Sequence, residues 1–170
     1  MATKGKKTGQ SSQTEAALPH LDTLKKLRIV IRAAQRHSAW IEKQCGVAGA
    51  QLWLMQELED LPGQRVGEIA NRMAIHQTTV SNLLDALEKR GLVVKTRDPL
   101  DQRAVRLALS DDGRKLLDEA PKPARGLLPE ALRQMKPEQL ALLDQGLQEL
   151  LNSIGLLDDG YGLQPMPFTM

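Results

Sequence analysis

The sequence predicts a mostly α fold: a winged helix-turn-helix with a small antiparallel β-hairpin as its wing, flanked by a helical dimerisation base. Three observations carry this. Apolar residues recur at steps of three and four through most of the chain, the period of half-buried helices. Two short helical stretches meet across a tight connection at Ala74-Ile75-His76. The second of them stops at Gly91, and two alternating segments follow, joined by Asp98-Pro99-Leu100-Asp101-Gln102-Arg103. Composition agrees. Hydrophobic residues make up 41% of the 170, but aromatics only 2%, so the core is aliphatic, rich in the Leu and Ala that favour helices.

Each element has a local reason. Residues 1–20 are mostly polar, with Lys4, Lys6 and Lys7, and are expected to form a disordered basic arm: a solvated tail, or one that touches phosphates. Residues 21–48 hold an N-terminal helix, which a family resemblance makes a dimerisation helix; its stripe is Leu24, Leu27, Ile31, Ala34, Ser38 and Ile41, closed by Cys45-Gly46. Residues 49–110 form the winged lobe. Its first helix runs from about Gly49 to Glu59, broken by Leu61-Pro62-Gly63. Val66, Ile69, Ala70 and Met73 face inward on the second helix, and Val80, Leu83, Leu84 and Leu87 on the third. Strands follow at 92–97 and 104–109. Residues 111–155 are read as C-terminal dimerisation helices, opened by a Ser110 cap with Asp111 and Asp112 in the first turn. Pro121, Pro123 and Pro129 predict kinks or breaks. Pro137 starts a last helix with a leucine seam from Leu140 to Ile154. Residues 156–170 read as a loose tail.

Several functions are disfavoured. One cysteine, Cys45, rules out an intramolecular disulfide. His20, His37 and His76 lack metal-ligand spacing, so neither a metal nor any other cofactor is expected. No catalytic constellation or phosphate-binding glycine loop is present, which argues against an enzyme. No apolar run is long enough for a membrane span and no leader-like segment follows the first lysines, so a cytoplasmic location is expected.

The remaining chemistry points to double-stranded DNA. Gln77, Thr78, Ser81, Asn82 and Asp85 lie away from the apolar stripe of the third lobe helix. Gln and Asn can bond adenine edges bidentately, and Ser and Thr suit phosphates and several bases. Any exposed helix face is polar, so the wing decides the matter. From Lys89 to Arg106 there are six basic residues (Lys89, Arg90, Lys95, Arg97, Arg103, Arg106) and two acidic ones, a net of +4 against +2 for the whole chain. The positive field is concentrated where a duplex would lie. Arg103, at the hairpin tip, suits insertion into a narrow minor groove. A solvated hairpin, or a wing that meets another protein, is the competing reading.

In order and spacing, Thr79-Val80-Ser81, Leu87-Glu88-Lys89-Arg90-Gly91-Leu92-Val93, the 98–103 turn and Leu109-Ser110-Asp111-Asp112-Gly113 resemble the helix–wing–helix signature of the multiple antibiotic resistance regulator (MarR) family. Gly46-Val47 and Gln51 are similar to that family's entry to its second helix. The resemblance implies a homodimeric transcriptional regulator, most often a repressor, that grips a pseudo-palindromic operator. It also implies release by a small effector, often phenolic, bound between base and lobes. It adds Thr79 to the DNA-binding set and gives Asp101 the role of orienting arginine. Three departures stand out: His76 where a Ser cap is common, Asn82 where arginine is frequent, and Pro121 and Pro123 in a helix that is usually long.

Two further sites are expected. His37, Trp40 and Trp53 are candidates for lining the effector pocket, although core packing is the commoner fate of such residues. Cys45 could serve a redox switch, but a helix C-terminus raises a thiol pKa, so an inert thiol is the preferred reading.

Overall fold

The computed structural model describes residues 18–98, 105–155 and 158–170. Eight α-helices, one 3-10 turn and two strands succeed one another among them. Helix α1 spans Pro19–Cys45 and ends where Gly46 takes a left-handed conformation, φ 64°, with its N–H returned to Glu42. Helix α2 (Gly49–Asp60) starts with the Gln51 side chain accepting the Ala48 N–H at 2.9 Å. Helices α3 (Val66–Met73) and α4 (Gln77–Lys89) are the helix pair, joined through Ala74 at φ 51°.

Strands β1 (Val93–Arg97) and β2 (Val105–Leu109) pair antiparallel, with Val93 opposite Leu109 and Arg97 opposite Val105. A single bridge from Gln64 to Leu107 adds a third rung beside β2. Buried Gln64 also donates to the Glu57 and Leu61 carbonyls, each at 2.9 Å, and so satisfies the exit of α2. Ser110 caps α5 (Asp111–Glu119), its hydroxyl accepting the Gly113 N–H at 3.0 Å. Pro121 and Pro123 fall in a true break, since α6 (Leu127–Gln134) begins only after Gly126. Pro129 sits in the first turn of α6, where its missing N–H costs nothing. Pro137 opens α7 (Pro137–Ile154), and α8 (Asp159–Gly162) and a 3-10 turn (Pro167–Thr169) follow.

The core lies within the lobe. Leu52, Leu54, Met55, Leu58, Ile69, Val80, Leu84, Leu87 and Leu107 are fully or almost fully buried. Helix α5, read from sequence as part of the base, packs on α2 and β2 and so belongs to the lobe.

The base is different. Every residue of α7 is exposed in the single chain, its leucine seam included. The first half of α1 is likewise exposed at Leu21, Leu24 and Ile31, so the predicted stripe is buried only from Ala34 onward. Of the predicted basic arm, residues 1–17 lie outside the described residues, and Pro19 and His20 already belong to α1.

The expected loose tail is partly ordered. Residues 158–170 fold back on α1 and α2 and on the turn before α4. Phe168, half-buried, and Met166 line the groove there, and two hydrogen bonds fix the position: Ser38 Oγ to the Phe168 carbonyl (2.7 Å) and the His76 N–H to the Leu163 carbonyl (3.0 Å).

Candidate nucleic-acid interface

Helix α4 presents Val80, Leu83, Leu84 and Leu87 to the core. With 100° per residue, Thr78, Asn82, Asp85 and Lys89 then form one outward row, all exposed. Thr78, Asn82 and Lys89 have no hydrogen bond or ion pair among the described residues, so their side-chain groups are available to a partner. Ser81 is half-buried on the flank and donates to the Gln77 carbonyl at 3.0 Å, which leaves its oxygen as an acceptor. Thr79 is half-buried on the opposite flank. Gln77 is exposed but lies against α3, close enough to Gly67 that a Cβ there would stand 3.0 Å from Nε2. Glycine at 67 leaves room for the Gln77 amide there.

The wing is tied to this helix by charge. Lys95 Nζ donates to Asp85 at 2.9 Å and Glu88 at 2.7 Å. The bonds to Glu88 and Asp85 push the Lys95 pKa upward, and the bond from Lys95 pulls Asp85 below the usual carboxylate range. Lys95 therefore neutralises an acid on the outward row.

Arg106 is also engaged. Its Nε and Nη2 each lie 2.7 Å from Oδ2 of buried Asp98, and Nη1 donates to the Gly63 carbonyl at 2.9 Å. Arg65 approaches the same carboxylate oxygen at 3.5 Å. Asp98 is the wing's anchor; the run of cations around it was the available sequence signal for that role. Arg97 is exposed and without an ion-pair partner among the described residues. Arg103 and Asp101 lie outside the described residues.

A second charged cluster sits behind the lobe. Glu57, 3% exposed, accepts from Trp53 Nε1 (2.9 Å), Arg72 Nε (2.7 Å) and Arg125 Nε (2.8 Å). Arg125 also bonds Asp60. One carboxylate thus joins α2, α3 and the segment leading into α6. Burial alone would raise the Asp60 pKa, but the hydrogen bonds from Gln56 and Arg125 outweigh it and hold the carboxyl below 3.8. The sequence hint was the i,i+4 pair Trp53 and Glu57.

His37 and Trp53 line a cavity between α1, α2 and α6, while Trp40 lies outside it, half-exposed, with its ring edge-on to His37 at 5.9 Å. The His37 Nε2 is 3.0 Å from the Pro123 carbonyl. Burial pushes the Cys45 thiol up, with nearby Lys122 offsetting part of the rise, so at neutral pH it is not the activated thiolate a redox switch requires. Among the described residues no cluster of metal-ligating side chains occurs, and no helix is long and apolar enough to cross a membrane.

Comparisons with known proteins agree with this geometry. The MarR family model matches residues 50–105, which cover α2 through the start of β2. The HTH-type transcriptional regulator YsmB of Bacillus subtilis is 26% identical over 138 residues, covering 81% of this chain and 94% of its own length. The repressor MdtR of the same organism is 37% identical over 73 residues, 43% of this chain and 46% of that protein. A MarR family protein from Bacillus stearothermophilus has the same fold, with a TM-score of 0.52 at 23% identity over 81% of this chain and 96% of that one. Helix pair, wing, family model and relatives together show that residues 50–105 are similar to the MarR family of winged helix-turn-helix transcriptional regulators.

Proposed function

We propose that the chain is a repressor that acts as a homodimer on a pseudo-palindromic operator and is released by a small effector. The observation that carries the DNA reading is the outward row of α4. Thr78 and Asn82 stand unengaged beside a wing that Lys95 ties to the helix and Asp98 ties to Arg65 before α3. In this reading Thr78, Asn82 and the flanking Gln77, Thr79 and Ser81 meet base edges and phosphates in a major groove. Arg97 and Arg103 reach the neighbouring backbone and minor groove, with Asp101 orienting arginine. Lys95 and Arg106 are framework first and add only long-range positive potential.

The dimer reading rests on surface. Leu140, Leu143, Leu147, Leu150 and Ile154 line one face of α7, each between 38% and 56% exposed, and Leu21, Leu24 and Ile31 are bare on α1. Monomers rarely leave apolar helix faces of this length uncovered, and a second copy offers the same self-complementary faces. The effector reading rests on the cavity between α1 and α2, where occupancy can bias the spacing of the two lobes.

A gel shift on sites selected from random DNA tests the proposal. Asn82→Ala is expected to relax base preference at one position of each half-site. Arg103→Ala is expected to weaken binding to all sequences and to reduce the salt slope by about one. Unchanged binding by both variants at every salt concentration contradicts the assignment.

A further inference from the structure

The cavity holds about 360 Å³, a size suited to a molecule of one or two rings. Its walls come from two parts of the chain. Ile41 of α1, Trp53 of α2, Ile75 of the turn before α4 and Leu128 of α6 line one part, and Met166 and Phe168 from the segment 158–170 line the other. Of the polar side chains around it, Ser38, His37 and Arg125 are already engaged, and Gln164 carries only a neutral amide. Ser38 Oγ donates to the Phe168 carbonyl, His37 is bonded at Pro123, and Arg125 is held by Glu57 and Asp60. A carboxylate or sulfonate entering this space would be desolvated without a free cation to meet it.

The same segment touches the reading helix. His76 is the residue immediately before α4, with φ −62° and ψ 143°. Its carbonyl accepts the Val80 N–H at 3.1 Å, while its own N–H is given to the Leu163 carbonyl at 3.0 Å. The segment is thus bonded at one end to α1 through Ser38 and at the other to the start of α4. Displacing it strands the His76 N–H and the Ser38 hydroxyl together.

Building on the effector reading above, we propose that residues 158–170 form one wall of the cavity and the link from its occupant to α4, and that the occupant is a neutral, apolar aromatic molecule. A ligand pressing on Phe168 and Met166 shifts the strand of chain that holds Leu163, and with it the anchor of the reading helix.

The test uses two probes that differ by one sulfonate: neutral N-phenyl-1-naphthylamine and anionic 1-anilinonaphthalene-8-sulfonate. Each is titrated into the full chain in a Trp40→Phe background, with energy transfer from Trp53 as the readout. The neutral probe is expected to bind at least tenfold more tightly, and Phe168→Ala to weaken it at least fivefold. His76→Pro keeps φ and removes the N–H together with the exposed imidazole, and His76→Ala removes the imidazole alone; both should leave probe binding within twofold, and only the proline variant should abolish the probe's effect on DNA affinity. Ser38→Ala, which does not touch α4, should reduce that effect as well. Equal or tighter binding of the sulfonate overturns the ligand class. Unchanged or tighter neutral-probe binding by Phe168→Ala overturns the wall. Full coupling retained in both His76→Pro and Ser38→Ala, or a wild-type DNA affinity indifferent to saturating probe, overturns the link. If wild type binds neither probe, the effector-cavity reading fails first and this inference with it.

Discussion

Glu57→Ala should destabilise the lobe by about 3 kcal/mol, a value that follows from what the carboxylate holds. Glu57 is 3% exposed and accepts from one indole N–H and two guanidinium groups. Removing one partner of a buried pair typically costs about 3–5 kcal/mol, because the other charge is left uncompensated. Arg72 is 38% exposed at its side chain and recovers water, so its share is discounted. Arg125 is only 18% exposed and keeps just Asp60. The sum falls at the low end of the range. Urea unfolding followed by circular dichroism at fixed protomer concentration measures it, with an accompanying fall in Tm of roughly 6–12 °C. Glu57→Gln, which keeps the shape and one acceptor, should lose less. A loss under about 1 kcal/mol for Glu57→Ala would show that the arginines are held by packing and not by this carboxylate.

Other outcomes follow from single contacts. Gly113→Ala places a Cβ 2.1 Å from the Leu92 carbonyl oxygen, and backbone cannot retreat as a flexible side chain can; a loss of about 3 kcal/mol or more is expected by the same denaturation assay. The Asp60 carboxyl titrates lower in the folded chain than unfolded, so its stabilisation is present above pH 3.8 and is lost as pH falls through the lower folded value. Asp60→Asn should therefore flatten the acid limb of the stability profile in a pH series of melts, and an unchanged limb would contradict the pairing. Cys45 should react with iodoacetamide at pH 7 more slowly than a free thiol, accelerating only above the ordinary thiol range, and Cys45→Ser should leave DNA affinity unchanged under oxidant.

The parts legible in the sequence are those set by local rules. The α4 stripe, Gly46 and Gly91 as helix ends, the Ser110 cap and the Pro137 start all appear where periodicity and capping put them. What the sequence hid is what depends on distant partners. Arg106 and Lys95 looked like free cations, because nothing local reveals that Asp98 is buried or that Asp85 and Glu88 turn toward β1. The segment 158–170 looked loose, because its placement needs the groove between α1 and α2, and its two hydrogen bonds span 130 residues to Ser38 and 87 to His76. Trp40 and Trp53 looked alike on adjacent helices, yet only Trp53 has a carboxylate four residues on to hold its indole.

Sedimentation equilibrium of the chain with and without a site selected from random DNA tests the central claim most directly. A dimer in free solution, two protomers per duplex, and a selected site that is an inverted repeat with half-sites about one helical turn apart are expected. A monomer that binds no selected sequence, or binds one without two-fold symmetry, would contradict it.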